Sequence, residues 1–449
     1  MTEQDGLSAR QRRAAVVTIV IAVGLSALDS SIANTALPTI ARDLHSTPAA
    51  SIWVVNAYQL AVVATLLPLG ALGEIVGFRR VYQTGLVVFT VASLMCALSW
   101  SLPTLTAARV LQGFGAAGIM SVNTALIRFI YPASQLGRGV GFNALVVACS
   151  TALGPSVAAL VLLVADWPLL FAINVPAGLV AIVLAARSLP ATPLAARRFD
   201  WLGAILSATT FASLIFAVGE AAHQATLWQT IVAVAVTLVA GTLLVRNQLG
   251  QAAPLLPLDL YRRPLFALSS ATSACSFVAQ GLAFVSLPFL FQTQLGRSAV
   301  ETGLLLTPWP VATGIMAPIA GPLSDRYPPA ILCGVGLAIL SFGLVLMATL
   351  PDGATHMEIM LRMLICGTGF GFYQSPNLKA LMSSAPPSRS GGASGTVATS
   401  RLLGQSVGAA LVALCFGIAP LHGPTLALTL AAGFAAAASV VSFTRLMAQ

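Results

Sequence analysis

The chain has 449 residues, of which 57% are hydrophobic and 8% are charged, with 22 basic and 13 acidic side chains. A sequence this apolar cannot cover a water-soluble surface, so the composition predicts a polytopic membrane protein. The basic residues lie singly and in pairs between apolar runs, which argues against a nucleic-acid partner and is typical of charges that set membrane topology.

The first apolar stretch runs from Ala14 to Leu37, and Asp29 is its only charge. Its length is sufficient to cross a hydrocarbon core. A carboxylate at the centre of a spanning helix costs about 2.5–3.5 kcal/mol on insertion scales, so it is expected where it binds a proton, an ion or a substrate cation. The alternative is a structural acid paired to a neighbouring helix. We predict that Asp29 has a functional role of one of these three kinds.

Apolar runs of spanning length continue along the whole chain and predict fourteen transmembrane helices. Arginine and lysine concentrate in the loops on one side, whereas the opposite loops hold only Arg42 and Arg297. The positive-inside rule then places both termini in the cytoplasm. The predicted spans cover residues 14–37, 51–73, 81–101, 104–127, 139–164, 169–188, 201–220, 227–246, 265–291, 302–322, 330–350, 357–381, 394–417 and 425–445.

The chain also repeats itself at an offset of roughly 250 residues. Arg109 and Asn123 of the first half recur as Arg362 and Asn377 of the second. This offset leaves two helices over between two sets of six. We therefore predict an all-α membrane protein with a six-helix bundle in 1–190, two linker helices in 191–255 and a second six-helix bundle in 256–449.

The connection between the second and third spans combines small residues, an acid and two arginines. Glycines let neighbouring helices approach closely. An acid at a helix end can pair with an arginine or a helix N-terminus, and such a contact can be broken and remade as two bundles rock. The residues of this predicted gating segment are Gly70, Gly73, Glu74, Gly77, Arg79 and Arg80.

Two further segments carry unusual residues. The fourth span contains Arg109 near its start, followed by Gln112 and Gly113, and Arg109 requires either a buried partner or a route to the interface. The fifth span has small residues at regular spacing around Gly141, Gly154 and Pro155, which predicts close helix packing and a loosened helix.

These motifs resemble those of the major facilitator superfamily. Segment 70–80 looks like its loop signature, with Glu74 where the family usually has Asp, and 109–113 is similar to its Arg-x-x-Gln-Gly signature. Segment 141–159 resembles the antiporter signature, with serine or alanine replacing three glycines. Segments 28–40, 166–178 and 391–411 are similar to the fourteen-helix drug:proton antiporters of that superfamily.

The resemblance implies two six-helix bundles around a central cavity and a proton-coupled exporter of amphipathic, cationic drugs or antiseptics. Asp29 and Arg109 are the expected proton-coupling residues, and Asp325 is the expected counterpart of the gating segment in the second half. Polar residues within spans are expected to line the cavity, with hydrogen bonding between helices as the alternative. These are Asn34, Tyr58, Asn123, Tyr373, Asn377 and Arg401.

Other functions stay open at this stage. Arg109, Arg362 and Arg401 outnumber Asp29 within the spans, so neutral or anionic substrates remain possible, as does a nutrient symporter on the same fold. A membrane enzyme would need a nucleophile and base or a metal set, and the cysteines and histidines provide no such spacing. We expect no cofactor and no metal, the proton motive force as the energy source, and a monomer in the inner, cytoplasmic membrane. The expected partners are lipid, protons and a small amphipathic molecule.

Overall fold

A computed structural model describes residues 6–132, 135–195, 199–220, 227–249, 258–351, 353–385 and 390–447. Within these ranges the chain consists of helices and connecting loops. The first nine helices are α1 Ala9–Asp43, α2 Pro48–Ser51, α3 Trp53–Val76, α4 Phe78–Ala97, α5 Leu102–Ile130, α6 Leu136–Val164, α7 Pro168–Ala172, α8 Asn174–Ser188 and α9 Trp201–Glu220.

The remaining elements include one π-helical turn that continues a long helix. They are α10 Leu227–Leu249, α11 Leu258–Tyr261, α12 Pro264–Phe289 with the π turn Leu290–Gln294, α13 Ala299–Leu306, α14 Pro308–Leu323, α15 Pro329–Ala348, α16 His356–Ser384, α17 Ser390–Ile418, α18 Gly423–Thr444 and the 3₁₀ turn Arg445–Met447.

The prediction of an all-helical, polytopic membrane protein is confirmed, but the count of fourteen membrane spans is not supported. Helices lie at all fourteen predicted positions, yet only 12 in the described ranges are long and apolar enough to cross a membrane. In α9 the apolar part that is described, Trp201–Ala217, is too short. Helix α16 is long, but Glu358, Arg362 and Lys379 lower its hydropathy.

The helices form two compact units. The first unit comprises Met1–Ala33 and Trp53–Ala212, and the second comprises Asn34–Ile52 and Ser213–Gln449. Helix α1 therefore contributes to both units. The division into 1–190, 191–255 and 256–449 stays a prediction.

Local sequence signals explain where the helices around the candidate site begin. Helix α5 starts with a capping box in which Ser101 and Thr104 satisfy each other's backbone amides. Helix α4 starts after Gly77, whose φ of +102° is a conformation that a residue with a Cβ rarely adopts. Gly77 thus sets the sharp connection between α3 and α4 that fixes the direction of both helices.

Apolar side chains fill the interface between α4 and α5 in the first unit. Leu86 and Phe89 of α4 and Ala116 and Ile119 of α5 are completely buried there. In a bilayer, where lipid tails are as apolar as these side chains, close van der Waals packing stabilises such a helix pair. This packing holds the two helices rigidly together, and polar residues of both helices meet at one end of the interface.

Candidate functional site

The first unit holds a buried ion pair between α1 and α5. The Nη1 atom of Arg109 donates a hydrogen bond to Oδ2 of Asp29 at 2.5 Å. Asp29 is 1% exposed and Arg109 is 0% exposed. The two residues predicted to serve proton coupling therefore lie in direct contact, away from lipid and from solvent.

The second carboxylate oxygen of Asp29 accepts two further hydrogen bonds. Nε2 of Gln112 donates to Oδ1 at 2.8 Å, and Nδ2 of Asn174 donates to the same atom at 2.7 Å. Gln112 and Asn174 are both completely buried. With three donors around it, the carboxylate has exchanged the water it would bind outside the membrane for protein groups.

Gln112 connects the ion pair to α4. Its Oε1 accepts from Nη1 of Arg109 at 2.6 Å and from Sγ of Cys96 at 3.5 Å, while its Nε2 also donates to Oγ of Ser93 at 2.9 Å. Both ends of the carboxamide are thus used. Because Gln112 contacts the acid and the base at once, a movement of either changes the hydrogen bonds of the other.

The guanidinium of Arg109 lies between aromatic rings. Its Cζ atom is 4.2 Å from the centroid of the Tyr58 ring and 5.5 Å from that of Phe171, which are distances of cation–π contact. Nε donates to the carbonyl oxygen of Val54 at 3.0 Å. Nη2 is buried without a hydrogen-bond acceptor in the described part of the chain. These contacts stabilise the positive charge of Arg109, and its Nη2 atom remains without an acceptor in that part of the chain.

The hydrogen-bond network joins five helices of the first unit. The positions of three of its members follow from the helices that carry them. Arg109 and Gln112 lie three residues apart on α5 and so share one face. Asn174 begins α8, directly after the break that separates α7 from α8. Its amide nitrogen reaches Oδ1 of Asp29 from this first residue of α8.

The arrangement can act as a protonation switch. The ion pair is neutral as a whole, whereas protonation of Asp29 would leave Arg109 as a buried, unpaired cation. Removing one partner of a buried pair costs about 3–5 kcal/mol. A proton that reaches Asp29 therefore alters the balance of forces among α1, α5 and α8.

The polar residues predicted to line a cavity lie in several different environments. In the first unit, Tyr58 covers Arg109 and its hydroxyl donates to the carbonyl oxygen of Ser26 at 3.4 Å. Asn123 donates to Oδ1 of Asn143 at 2.7 Å, so it joins α5 to α6.

In the second unit these residues also differ in their surroundings. The Tyr373 hydroxyl accepts from Ser276 at 2.5 Å, and Oδ1 of Asn377 accepts from Nη1 of Arg445 at 2.9 Å. Oδ1 of Asn34 is buried without a described partner. Arg401 is half-buried in α17.

The gating segment lies at the junction of α3 and α4. Gly70, Gly73 and Glu74 belong to the last turns of α3, and Glu74 has an interaction partner. Arg79 donates to the carbonyl oxygen of Ala186 in α8, while Arg80 donates to that of Val76 at 3.4 Å. Its arginines thus bind helix carbonyls of the same unit.

The fifth predicted span contacts the helix that carries Asp29. Gly154 of α6 is buried against Ser31 of α1, whose side chain occupies the space where a Cβ would lie. The Ser31 hydroxyl also donates to the carbonyl oxygen of Thr151 at 2.9 Å. Pro155 is buried next to Gly154, and Gly141 lies within α6. This contact fixes α6 close to the residues that flank Asp29.

Asp325, the expected counterpart of Glu74, forms an ion pair with Lys379 of α16. The pair is largely exposed, because the two side chains have accessibilities of 71% and 43%. Exposed pairs of this kind contribute about 0–1 kcal/mol. It links the end of α14 to α16 without anchoring them firmly.

Sequence reasoning missed the neutral members of the network. Gln112 and Asn174 attracted no separate prediction because a single amide in an apolar run is usually a hydrogen bond between helices. Two signals pointed to them. Gln112 is three residues from Arg109 on the same helix face, and Asn174 is a polar residue inside the predicted span 169–188.

The fold and the buried ion pair define a helical membrane transporter. A protein-family model, "Major Facilitator Superfamily", matches residues 19–409. The chain belongs to this superfamily, which confirms the family predicted from the motifs.

Comparison with individual proteins supports the same class. The chain is 52% identical over 446 residues to the uncharacterised transporter YebQ of Escherichia coli (strain K12), covering 99% of this chain and 98% of the relative. It is 30% identical to the riboflavin transporter RibZ of Clostridioides difficile (strain 630), covering 91% and 89%. It is 30% identical to the multidrug resistance protein Stp of Mycobacterium tuberculosis (strain CDC 1551 / Oshkosh), covering 88% and 74%.

Solved structures agree on the fold. The POT family transporter PepTSo superposes with a TM-score of 0.74 at 14% sequence identity, over 98% of each chain. At this identity the likeness concerns the fold alone.

Proposed function

We propose that the protein is a proton-coupled exporter that moves amphipathic organic compounds out of the cytoplasm by alternating access. The observation that carries the proposal is the ion pair of Asp29 and Arg109, buried among apolar helices. A titratable acid inside a membrane is expensive and is retained mainly for function. The relation to a multidrug resistance protein supports amphipathic drugs or antiseptics as the class of substrate.

Proton binding is the first step of the proposed cycle. A proton on Asp29 removes its attraction to Arg109, whose Nη2 already lacks an acceptor within the described ranges. The arginine is then stabilised only if α1 and α5 shift so that it meets water or another acceptor. Two arrangements of the helices, selected by one proton, are sufficient for alternating access.

Substrate does not bind to Asp29 itself in this proposal. Both carboxylate oxygens are occupied by Arg109, Gln112 and Asn174, and the side chain is 1% exposed. A cationic drug would have to displace one of these donors. We therefore infer that substrate and proton are coupled through helix movement and do not compete for one carboxylate.

The proton motive force supplies the energy. One proton that moves inward across 100 mV releases about 2.3 kcal/mol, and a pH gradient adds to this. That amount supports a concentration ratio of roughly 50-fold for a neutral substrate exchanged one for one, since each 1.4 kcal/mol corresponds to a factor of ten.

The topology proposed with this function keeps the fourteen-helix arrangement of the drug:proton antiporters. In this scheme α9 and α10 cross the membrane as two linker helices, and α16 crosses despite its charges. Both termini lie in the cytoplasm, and the protein works as a monomer in a bacterial inner membrane. The gating segment around Glu74 and the pair of Asp325 and Lys379 then face the cytoplasm and rearrange during the cycle.

Inside-out membrane vesicles from an efflux-deficient host test the proposal, because export then registers as uptake into the vesicle. When respiration acidifies the lumen, vesicles with the native protein should accumulate at least one dye from a set of ethidium, Nile red and pyrenebutyrate. A protonophore should release the dye, and vesicles with Asp29→Asn should accumulate none. Accumulation that survives the protonophore, or no accumulation of any dye, would contradict proton-driven export.

A further inference from the structure

Arg401 is a second charged residue inside an apolar helix, and the ion pair of the first unit does not involve it. It lies in α17 within the apolar span Thr396–Ile418. An arginine at such a position costs about as much as an acid unless it meets a partner or water. The surroundings of this guanidinium therefore indicate what it is for.

The guanidinium of Arg401 has no protein partner among the residues that the structure describes. It makes no hydrogen bond or ion pair there, and no charged side chain acts on it. The residue is only half-buried. Its five N–H donors are therefore available to a group that enters from outside the protein.

The helix that carries Arg401 is covered by other protein along most of its length. No residue of α17 between Thr396 and Gly417 is exposed, as expected for a helix surrounded by other helices. Gly404 and Gly408, one and two turns further along, approach the backbone of α12 at Ala274 and Val278. Arg401 shares a helix face with Gly408, so it points along the contact with α12 and away from the bilayer.

Two carboxamides lie further along the contact of α17 with α12. Gln405, four residues after Arg401 and so on the same face of α17, donates to Oε1 of Gln280 in α12 at 2.9 Å. Both glutamines are half-buried. The amide nitrogen of Gln280 makes no hydrogen bond within the described residues and stays available as a donor. One cation and a neutral donor thus lie along the contact of α17 with α12, and both side chains are half-buried.

Three other cationic side chains of the second unit have protein partners in the described part of the chain. Arg362 pairs with Glu358, and Lys379 pairs with Asp325. Arg445 is buried but donates to Ser269, Asn377 and Ser442. In contrast to these three residues, Arg401 has neither an acidic partner nor a hydrogen-bond acceptor among the described residues.

We infer that Arg401, with Gln280 further along the same contact of α17 with α12, binds an acidic group of the transported compound. The substrate class is then an amphipathic organic anion such as a carboxylate, which a guanidinium recognises with two parallel hydrogen bonds. This inference rests on the proposed export function and replaces the cation expected from family resemblance by an anion. Outward movement of an anion is also driven by an inside-negative potential, by about 2.3 kcal/mol per charge at 100 mV.

Three probes with one ring system but different charge test the inference: 1-pyrenebutyrate, its methyl ester and 1-pyrenebutylamine. Binding to the purified protein in zwitterionic nanodiscs is followed by energy transfer from tryptophan to pyrene, with empty nanodiscs subtracted. The native protein should bind the carboxylate at least tenfold more tightly than the ester and the amine. The methyl ester has the same ring system without the negative charge, so it measures how much binding the ring alone contributes in the native protein.

Variants then assign the preference to one residue. Arg401→Gln should abolish the preference for the carboxylate over the ester, and Arg401→Lys should keep part of it. Arg362→Gln, which removes an arginine that already has an acidic partner, should leave the preference unchanged. Thermal melting of each variant verifies that it is folded.

The outcomes separate this inference from the proposed function. Equal binding of carboxylate and ester by the native protein, no binding of the carboxylate, or a preference that survives in folded Arg401→Gln would overturn the role of Arg401. The two claims can also separate. If the preference for the carboxylate depends on Arg401 but transport does not respond to the proton gradient, the anion site is upheld and proton coupling is contradicted.

Discussion

Arg109 and Asp29 form a hydrogen-bonded ion pair of 2.5 Å in which the side chains are 0% and 1% exposed. The pair connects α5 to α1 and places opposite charges in the membrane interior without a net charge. The energetic consequence is asymmetric. Keeping both partners is tolerable, whereas keeping only one leaves a charge in an apolar bundle.

The first prediction concerns stability of the ion pair. Arg109→Gln should destabilise the protein by about 3–5 kcal/mol, since Asp29 is left buried without its counter-charge. The double variant Asp29→Asn with Arg109→Gln should recover part of that loss. Thermal melting of the purified protein measures both. Strictly additive losses would mean that the two residues do not interact in the membrane.

A second prediction compares two asparagines of the first unit. Asn174 donates to the carboxylate of Asp29, whereas Asn123 donates to the neutral side chain of Asn143. Hydrogen bonds to charged groups contribute about 1.5–3 kcal/mol and neutral ones about 0.5–1.5 kcal/mol.

Asn174→Ala should therefore lower the melting temperature more than Asn123→Ala does. It should also reduce transport more, because Asn174 holds the carboxylate of Asp29 in place. An equal effect of the two substitutions would show that the carboxylate gains no special stabilisation from Asn174.

A third prediction concerns the contact of α6 with α1. A methyl group at Gly154 would overlap the side chain of Ser31, two residues after Asp29. Gly154→Ala should thus lower both stability and transport, and Gly154→Leu should abolish transport while the protein still reaches the membrane.

Gly433 of α18 is the matched control, because a Cβ built there meets nothing within 4 Å. Gly433→Ala should be neutral or stabilising by up to about 1 kcal/mol, as alanine favours the helix. Normal transport by Gly154→Leu would show that the contact with Ser31 is not needed for the cycle.

A fourth prediction tests the proposed topology. Reporter fusions at Gln449 and in the loop near Arg197 should indicate the cytoplasm, and a fusion near Thr226 should indicate the outer side, because arginines concentrate on one side of the predicted spans. A C-terminus on the outer side, or fusions at Arg197 and Thr226 on the same side, would contradict the fourteen-helix arrangement.

Much of the fold could be predicted from sequence because apolar runs of spanning length have few alternatives to helices in a bilayer. The number of membrane spans was harder to predict than the helices themselves. Helix α16 carries charges at Glu358, Arg362 and Lys379, and composition cannot tell whether such charges find partners. The structure pairs Arg362 with Glu358 one turn earlier on the same helix, whereas the pair of Lys379 with Asp325 depends on tertiary packing.

The charged half of the candidate site could be predicted, and the neutral half could not. Asp29 and Arg109 stand out because a charge inside an apolar run has a large cost. Neutral amides cost less, so Gln112 and Asn174 did not stand out. Arg445 was counted among the cytoplasmic charges at the end of a span, but it is 1% exposed and binds Asn377. Its partners on α12 and α16 are far away in sequence.

The proton-coupling role of Asp29 is the central claim, and transport by Asp29→Asn in proteoliposomes tests it most directly. Asparagine keeps the size of Asp29 and one accepting oxygen for Gln112 and Asn174, but it cannot exchange a proton or carry the charge that pairs with Arg109. Under an imposed pH gradient, a folded Asp29→Asn protein should fail to concentrate the dye that the native protein concentrates, while exchange of labelled for unlabelled dye without a gradient continues. Asp29→Glu should retain part of the uphill transport. If the folded Asp29→Asn protein still concentrates the dye against its gradient, Asp29 does not couple transport to protons.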